Sequence, residues 1–343
     1  MTLMEYLKGE GVSATTLKHI VEFRQGNTSK DPRVPLPKAF FRGPALNKLL
    51  VAVLAGYNVL LEGAKGVGKN TLIDTAAYIL KRPVYQFPFN QSVDAASIVG
   101  ADTLDVSDDG ANIITFRKHQ LVEAMEHPDG AWFVGDEINM TRADVTAVLH
   151  MATDYRRELD YPGMGRVQAH PAFRFIGTMN YGYMGTQELN EAFGDRFVVI
   201  NVDSLNAINL ATFLQTENAD LFDTAAMGFA KLYHTLDDAA KTGTISSRAV
   251  SMRGIQQAID LHRCGLGRGE ALDMGIISKA FDAEERSQVR DLIQVAMSEK
   301  DAWLNGSGKD GKATATAPVS SPTQNAVKTE TMTIDLSNVA KKR

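Results

Sequence analysis

The sequence predicts an α/β protein. A mostly parallel sheet covered by helices spans residues 38–205, a small all-helical domain spans 206–305, and a polar tail follows. Three observations predict this. Short apolar runs alternate with helical patterns up to residue 202, as in strands joined by crossover helices. A glycine-rich stretch, GAKGVGKNT at 63–71, stands between one such run and one such helix, the position of a phosphate-binding loop. After residue 205 the strand signals stop.

Residues 1–37 form a mixed, polar N-terminal segment with a short helix around Ser13–Phe23; Pro32, Pro35 and Pro37 then stop regular structure. Residues 44–55 have helical spacing, with Pro44 suited to a first turn and Gly56 to a stop. NVLLE at 58–62 is a strand buried on both faces. The glycine-rich loop follows, then a helix over 69–81 with Leu72, Ile73, Ala76 and Ile79 on one side. VYQFPF at 84–89 reads as a second strand with Pro88 near its end. Residues 114–126 give a short strand and a helix, 131–135 a buried strand ending in Asp136-Glu137, and 142–155 a helix. Residues 156–171 form a hairpin around Pro-Gly; 173–178 and 197–202 are further strands. Helical patterns then run through 207–217, 220–237, 247–263 and 284–299.

From residue 306 to 331 the chain is rich in Gly, Ser, Thr, Ala and Pro and reads as a flexible linker. Residues 332–343 regain apolar alternation at Met332, Ile334 and Leu336. They read either as a frayed tail or as a tethered docking peptide.

The 343 residues are 44% hydrophobic and 22% charged, with a formal net charge of -5 and a pI near 5.8. That is globular composition, and it argues against a broad basic surface for nucleic acid. The one cysteine, Cys264, cannot form an internal disulfide; it reads as a small buried hydrophobe. MTLMEYLKGEGVS lacks the pattern of a signal peptide, and no apolar run is long enough to span a membrane. The expectation is a cytoplasmic protein.

The glycine-rich loop carries the first chemistry. Gly63, Gly66 and Gly68 let backbone N–H groups close around an anion at a helix N-terminus, and Lys69 neutralises β- and γ-phosphates. A Ser or Thr should follow the lysine to ligate magnesium. Asn70 stands there instead, and the hydroxyl comes one residue later, at Thr71. The run AWFVGDE delivers two acids at a strand's C-terminal end, where open α/β sheets bind ligands. Asp136 suits a magnesium ligand, directly or through water, and Glu137 a general base for water. Asn180 follows the apolar strand FRFIGTM, placed either to orient that water or to touch the γ-phosphate; the bland alternative is a turn asparagine. Arg196, in NEAFGDRF, reads either as an arginine finger for a neighbouring subunit or as a surface partner of Asp195 or Glu191.

Together, Gly63–Lys69, the strand ending in DEINM, the GTMN ending at Asn180 and the run ELNEAFGDRF resemble the AAA+ ATPases, a P-loop NTPase family, and its MoxR-type and dynein-related branch. DAASIVGAD at 94–102 resembles the segment where that branch inserts an extra element, and the hairpin 156–171 resembles the one before its sensor strand. The resemblance covers roughly residues 38–300. It implies a homo-oligomeric ring, usually a hexamer, binding ATP and Mg2+ between subunits. It gives Asn180 the sensor-1 role and Arg196 the finger role. In ISSRAVSMR it assigns the sensor-2 role to Arg248, with Arg253 second. It implies remodelling or activation of a protein client, often with a von Willebrand factor A domain, and some members act on metalloenzymes.

Asn70 leaves three outcomes open. Its carboxamide ligates magnesium, a water bridges, or metal binding is weak and turnover slow. The presence of Glu137 favours slow but real hydrolysis. The alternatives are a nucleotide-gated assembly factor with little turnover, and a nucleic-acid-directed motor of a defence system.

Overall fold

The computed structural model describes residues 2–26, 28–37, 40–107, 112–180, 189–297 and 302–304. It divides into two units: Val12–Ser204, and Met1–Gly11 together with the chain from Leu205 onward. The first helix, α1 (Leu3–Gly9), therefore belongs with the helical unit. The segment expected as one piece over 1–37 is shared between the two. Thr2 and Glu5 close a capping box on α1, each side chain holding the other's backbone N–H.

In the α/β unit, α2 (Ala14–Gly26) and α3 (Ala45–Leu54) precede β1 (Asn58–Glu62). α4 (Lys69–Leu80), β2 (Val84–Pro88), α5 (Ala95–Val99) and the antiparallel pair β3 (Gly100–Val106) and β4 (Asn112–Lys118) follow. Next come α6 (Gln120–Glu126), β5 (Trp132–Asp136), a 3-10 turn (Ile138–Met140) and α7 (Ala143–Thr153). The hairpin β6 (Glu158–Tyr161) and β7 (Gly165–Gln168), then β8 (Arg174–Met179), α8 (Glu191–Gly194) and β9 (Phe197–Asn201) complete the unit.

Five strands pair in parallel in the order β2-β5-β8-β1-β9. β1 lies between β8 and β9, and its Val59, Leu60 and Leu61 are fully buried, which is why this strand reads as an unbroken apolar run. Pro88 closes the edge strand β2, where its missing N–H leaves no ladder bond unmade. At the N-terminal ends of the strands, Asn58 donates to Thr153 O (3.2 Å) and accepts from Phe175 N–H (2.9 Å). Buried Arg174 donates to Val53 O at 2.9 Å. Such clamps satisfy the strand-to-helix connections. Phe133, Phe175, Phe193 and Phe197 form the aromatic centre, with neighbouring ring centroids 5.1–5.6 Å apart. α6 and α7 pack their apolar residues onto this core.

The helical unit contains α9 (Ala207–Glu217), α10 (Asp223–Lys241), α11 (Met252–Arg263), α12 (Arg268–Gly275) and α13 (Ala283–Ala296) around its own core. Among the described residues no helix is long and apolar enough to cross a membrane.

The structure overturns one expectation and adds two elements that the sequence left unread. Cys264 is exposed, not buried. It caps the C-terminus of α11, which ends at Gly265 in a left-handed turn (φ 108°). Residues 100–106, which overlap the segment 94–102 that resembles the inserted element, form β3. Helix α12 has too weak a periodicity to be read. The linker 306–331, the terminal peptide 332–343 and Glu188 lie outside the described residues.

Candidate functional site

The parallel sheet sends β1, β5 and β8 out at one edge, and each carries a residue of the site at or just beyond its end. β1 leads into the glycine-rich loop. Gly66 (φ 82°) and Gly68 (φ 91°) take left-handed conformations open to glycine. Gly63 needs glycine for another reason: a Cβ there would lie 2.4 Å from Val202 O. The loop thus turns tightly into α4 and leaves N–H groups of the first helical turn facing its concave side.

Lys69 is the first residue of α4 and is 8% exposed. Its ammonium group has three protons, and three acceptors meet them: Gly63 O at 2.8 Å, Ala64 O at 2.9 Å and Asn180 Oδ1 at 2.7 Å. Burial lowers its pKa from 10.5 to about 8, partly offset by the charges of Asp136 and then Glu137. Asn180 continues the chain, donating from Nδ2 to Glu137 Oε1 at 3.0 Å. One carboxamide therefore links the phosphate-loop lysine to the candidate base.

Asp136 ends β5. Its Oδ1 accepts from the Thr178 hydroxyl at 3.0 Å, and its Oδ2 from Gln86 Nε2. The Thr178 oxygen also accepts the Glu137 N–H at 3.3 Å. Glu137 itself has φ 57°, unusual for a non-glycine residue. Asp74 on α4 has its carboxyl pKa raised by burial and then by the negative charge of Asp136. Burial also raises that of Glu62, at the end of β1.

The loop fits a polyphosphate: Gly66 and Gly68 take the left-handed turns that lead into the helix N-terminus, and the Lys69 ammonium lies against the loop carbonyls. The fit to magnesium is narrower. Among the described residues no group of three or more His, Cys, Asp or Glu is placed to hold a metal. A magnesium ion would depend on Asp136, phosphate oxygens and water, its usual coordination beside nucleotides. Asn70 is exposed in the first turn of α4 and Thr71 half-buried. Successive helical residues point about 100° apart, so Thr71 cannot aim its hydroxyl where residue 70 aims its side chain.

The structure thus brings together Gly63, Gly66, Gly68, Lys69, Asp136, Glu137 and Asn180. Arg196 makes its contacts elsewhere. It donates to Ala192 O, its Nε is buried without a partner, and its charge helps burial to depress the His150 pKa. Among the described residues it forms no ion pair with Asp195 or Glu191. Arg248 is exposed in the helical unit, its guanidinium 5.5 Å from the Phe281 ring centre. Its loop is held by Glu285, which accepts from Ser246 N–H and, at 2.7 Å, from Phe281 N–H. Burial pushes the Glu285 carboxyl up, but those hydrogen bonds and the Arg248 charge leave it lowered. Arg253 is also exposed, on α11.

Sequence reading missed Thr178 and Gln86. Thr178 was legible in principle: it lies two residues before Asn180 on a strand, so both point to the same side. Gln86 was a lone polar residue in an apolar strand, a signal too common to use alone.

The family model described as AAA domain (dynein-related subfamily) matches residues 58–197. An uncharacterized protein of Staphylococcus saprophyticus is 31% identical over 239 residues, covering 69% of this chain and 90% of its own length. An uncharacterized protein of Staphylococcus aureus is 30% identical over the same shares. A solved structure of a Thermotoga maritima RuvB mutant superposes with a TM-score of 0.41 at 16% identity, over 72% of this chain and 68% of its own.

Proposed function

Because this chain belongs to the AAA+ ATPases, in their dynein-related subfamily, we propose that it binds ATP with magnesium at the Gly63–Lys69 loop and hydrolyses it slowly. Working as a ring of its own copies, we propose, it uses that cycle to remodel, assemble or activate a partner protein. The single observation carrying the catalytic part is the hydrogen-bonded chain from Lys69 through Asn180 to Glu137. Binding alone has no use for a carboxylate held in that chain.

Bound ATP and magnesium supply the scissile phosphoanhydride and the cation that neutralises it. The protein's own groups do the rest. Lys69 gives up part of its carbonyl contacts and holds phosphate oxygens through charge-assisted hydrogen bonds. Asn180, released from Lys69 Nζ, keeps its Nδ2 on Glu137 and fixes the direction of that carboxylate. Glu137 Oε takes a proton from the attacking water. Asp136, oriented by Thr178 and Gln86, is the carboxylate that would hold the metal. Arg196 and Arg248 are the arginines proposed to contact the γ-phosphate, Arg196 from a neighbouring copy. The client is a protein, and a von Willebrand factor A domain is the partner type the family resemblance points to.

Magnesium-dependent release of phosphate from ATP tests the reading. The wild type turns over, and Lys69→Ala loses both binding and turnover; undiminished turnover in Lys69→Ala overturns the assignment of the loop. Asn70 favours one rival, a nucleotide-gated assembly factor. That rival predicts ATP-dependent oligomer mass with little phosphate release.

A further inference from the structure

We propose that Ile138 is a positioning residue for Glu137, keyed into a notch that the paired glycines Gly135 and Gly177 leave in the sheet. The inference rests on the reading of Glu137 as general base and adds what holds that base in place.

Gly135 on β5 and Gly177 on β8 are register partners in adjacent strands. Neither has a positive φ, so neither position needs glycine for its backbone. What both positions require is the absence of a side chain. A Cβ on Gly177 would lie 2.5 Å from Ile138 Cδ1 and 3.3 Å from its Cγ1. A Cβ on Gly135 would lie 2.8 Å from Ile138 Cγ2, and as close to Phe89 Cε2. The Ile138 side chain therefore fills the space of two missing methyl groups, and it is fully buried there.

Ile138 directly follows Glu137, whose left-handed conformation an L-residue adopts only where its surroundings hold it. Two anchors on neighbouring residues of β8 hold it. Gly177 receives the Ile138 side chain, and the Thr178 hydroxyl accepts the Glu137 N–H at 3.3 Å. The same strand leads into Asn180, which meets the Glu137 carboxylate at 3.0 Å. With the peptide fixed on both sides, the carboxylate has few places to go. A loosely held base loses rate without losing ligand, because a displacement of about 1 Å can cost on the order of 10²-fold.

The test is a rescue. Gly177→Ala is expected to lower kcat by on the order of 10²-fold, with the dissociation constant for a fluorescent ATP analogue unchanged. Ile138→Val removes Cδ1, the atom that a Cβ at position 177 would strike, and is expected to lower kcat far less than Gly177→Ala does. The double variant should recover most of the lost kcat. Additive losses in the double variant overturn the proposal. If Gly177→Ala does not fold, Ile138→Ala serves, since it empties the notch without adding bulk. There kcat should fall with binding intact, and a wild-type kcat overturns the proposal. If the wild type itself releases no phosphate, the general-base reading has failed, and the positioning is judged from crystal structures of Gly177→Ala and Ile138→Ala. Glu137 leaving its left-handed conformation and its contact with Asn180 supports the key; retention of both features in both variants overturns it.

Discussion

At the scale of residues, the site is governed by a few charges and their partners. Lys69 carries a pKa of about 8 against an ordinary 10.5 because burial disfavours its charge. Between those values the unfolded chain holds a proton that the folded one has released, so this lysine makes stability rise with pH across that window. Nucleotide binding has the opposite sign. Phosphate holds the proton on, so affinity should fall above pH ~8 by up to about tenfold per pH unit. Titration with a fluorescent ATP analogue checks this, and Lys69→Arg, which keeps its charge, should flatten the curve. Thr178 deserves the same test as the residues read from sequence. Its hydroxyl joins Asp136 to the Glu137 backbone, and hydrogen bonds to charged groups are worth about 1.5–3 kcal/mol. Thr178→Val should lower kcat by about tenfold or more while leaving the fold intact by circular dichroism. Asn70→Thr restores the missing hydroxyl. It should raise turnover by about tenfold, the value of one ligand contributing about 1.4 kcal/mol to the transition state, and it should lower the magnesium concentration needed.

At the scale of elements, β8 does the most. It pairs with β5 on one side and β1 on the other, and so lies between the strand that bears the acids and the strand that enters the phosphate loop. Its Phe175 packs against Phe133, Phe193 and Phe197 beneath the site. Phe175→Ala should cost about 3–5 kcal/mol, read as a fall in the denaturant midpoint with binding lost only as the protein unfolds. The strands of the sheet were legible because each is a short apolar run flanked by turns, and α4 because its apolar positions recur at helical spacing. The notch was not legible. Gly135 and Gly177 are ordinary strand glycines in sequence, and only the pairing of β5 with β8 shows that they face one side chain. β3 was obscured in the same way: its alternation of Leu104 and Val106 with acids is short, and those two apolar side chains face solvent instead of a core. The phosphate loop, both acids and Asn180 were legible because each sits at a fixed place relative to a strand end.

At the scale of the whole molecule, the proposal makes each active site depend on a second copy. Lys69→Ala removes the phosphate grip, and Arg196→Ala removes a side chain proposed to serve a neighbour. Each variant alone should be inactive, and mixing them should restore part of the turnover, because some interfaces would then combine an intact loop with an intact arginine. No recovery on mixing would confine Arg196 to its own chain, consistent with its hydrogen bond to Ala192 O. The proposed contact of Arg196 with a neighbouring copy was beyond the reach of sequence for a physical reason: a finger and a surface ion pair use the same residue type, and only a neighbouring copy distinguishes them. The central claim is hydrolysis by this site, and one comparison tests it most directly: phosphate release and ATP binding measured side by side for wild type and Glu137→Gln. The account predicts an unchanged dissociation constant and a kcat lowered by about 10²–10⁴-fold; wild-type turnover in Glu137→Gln would contradict it.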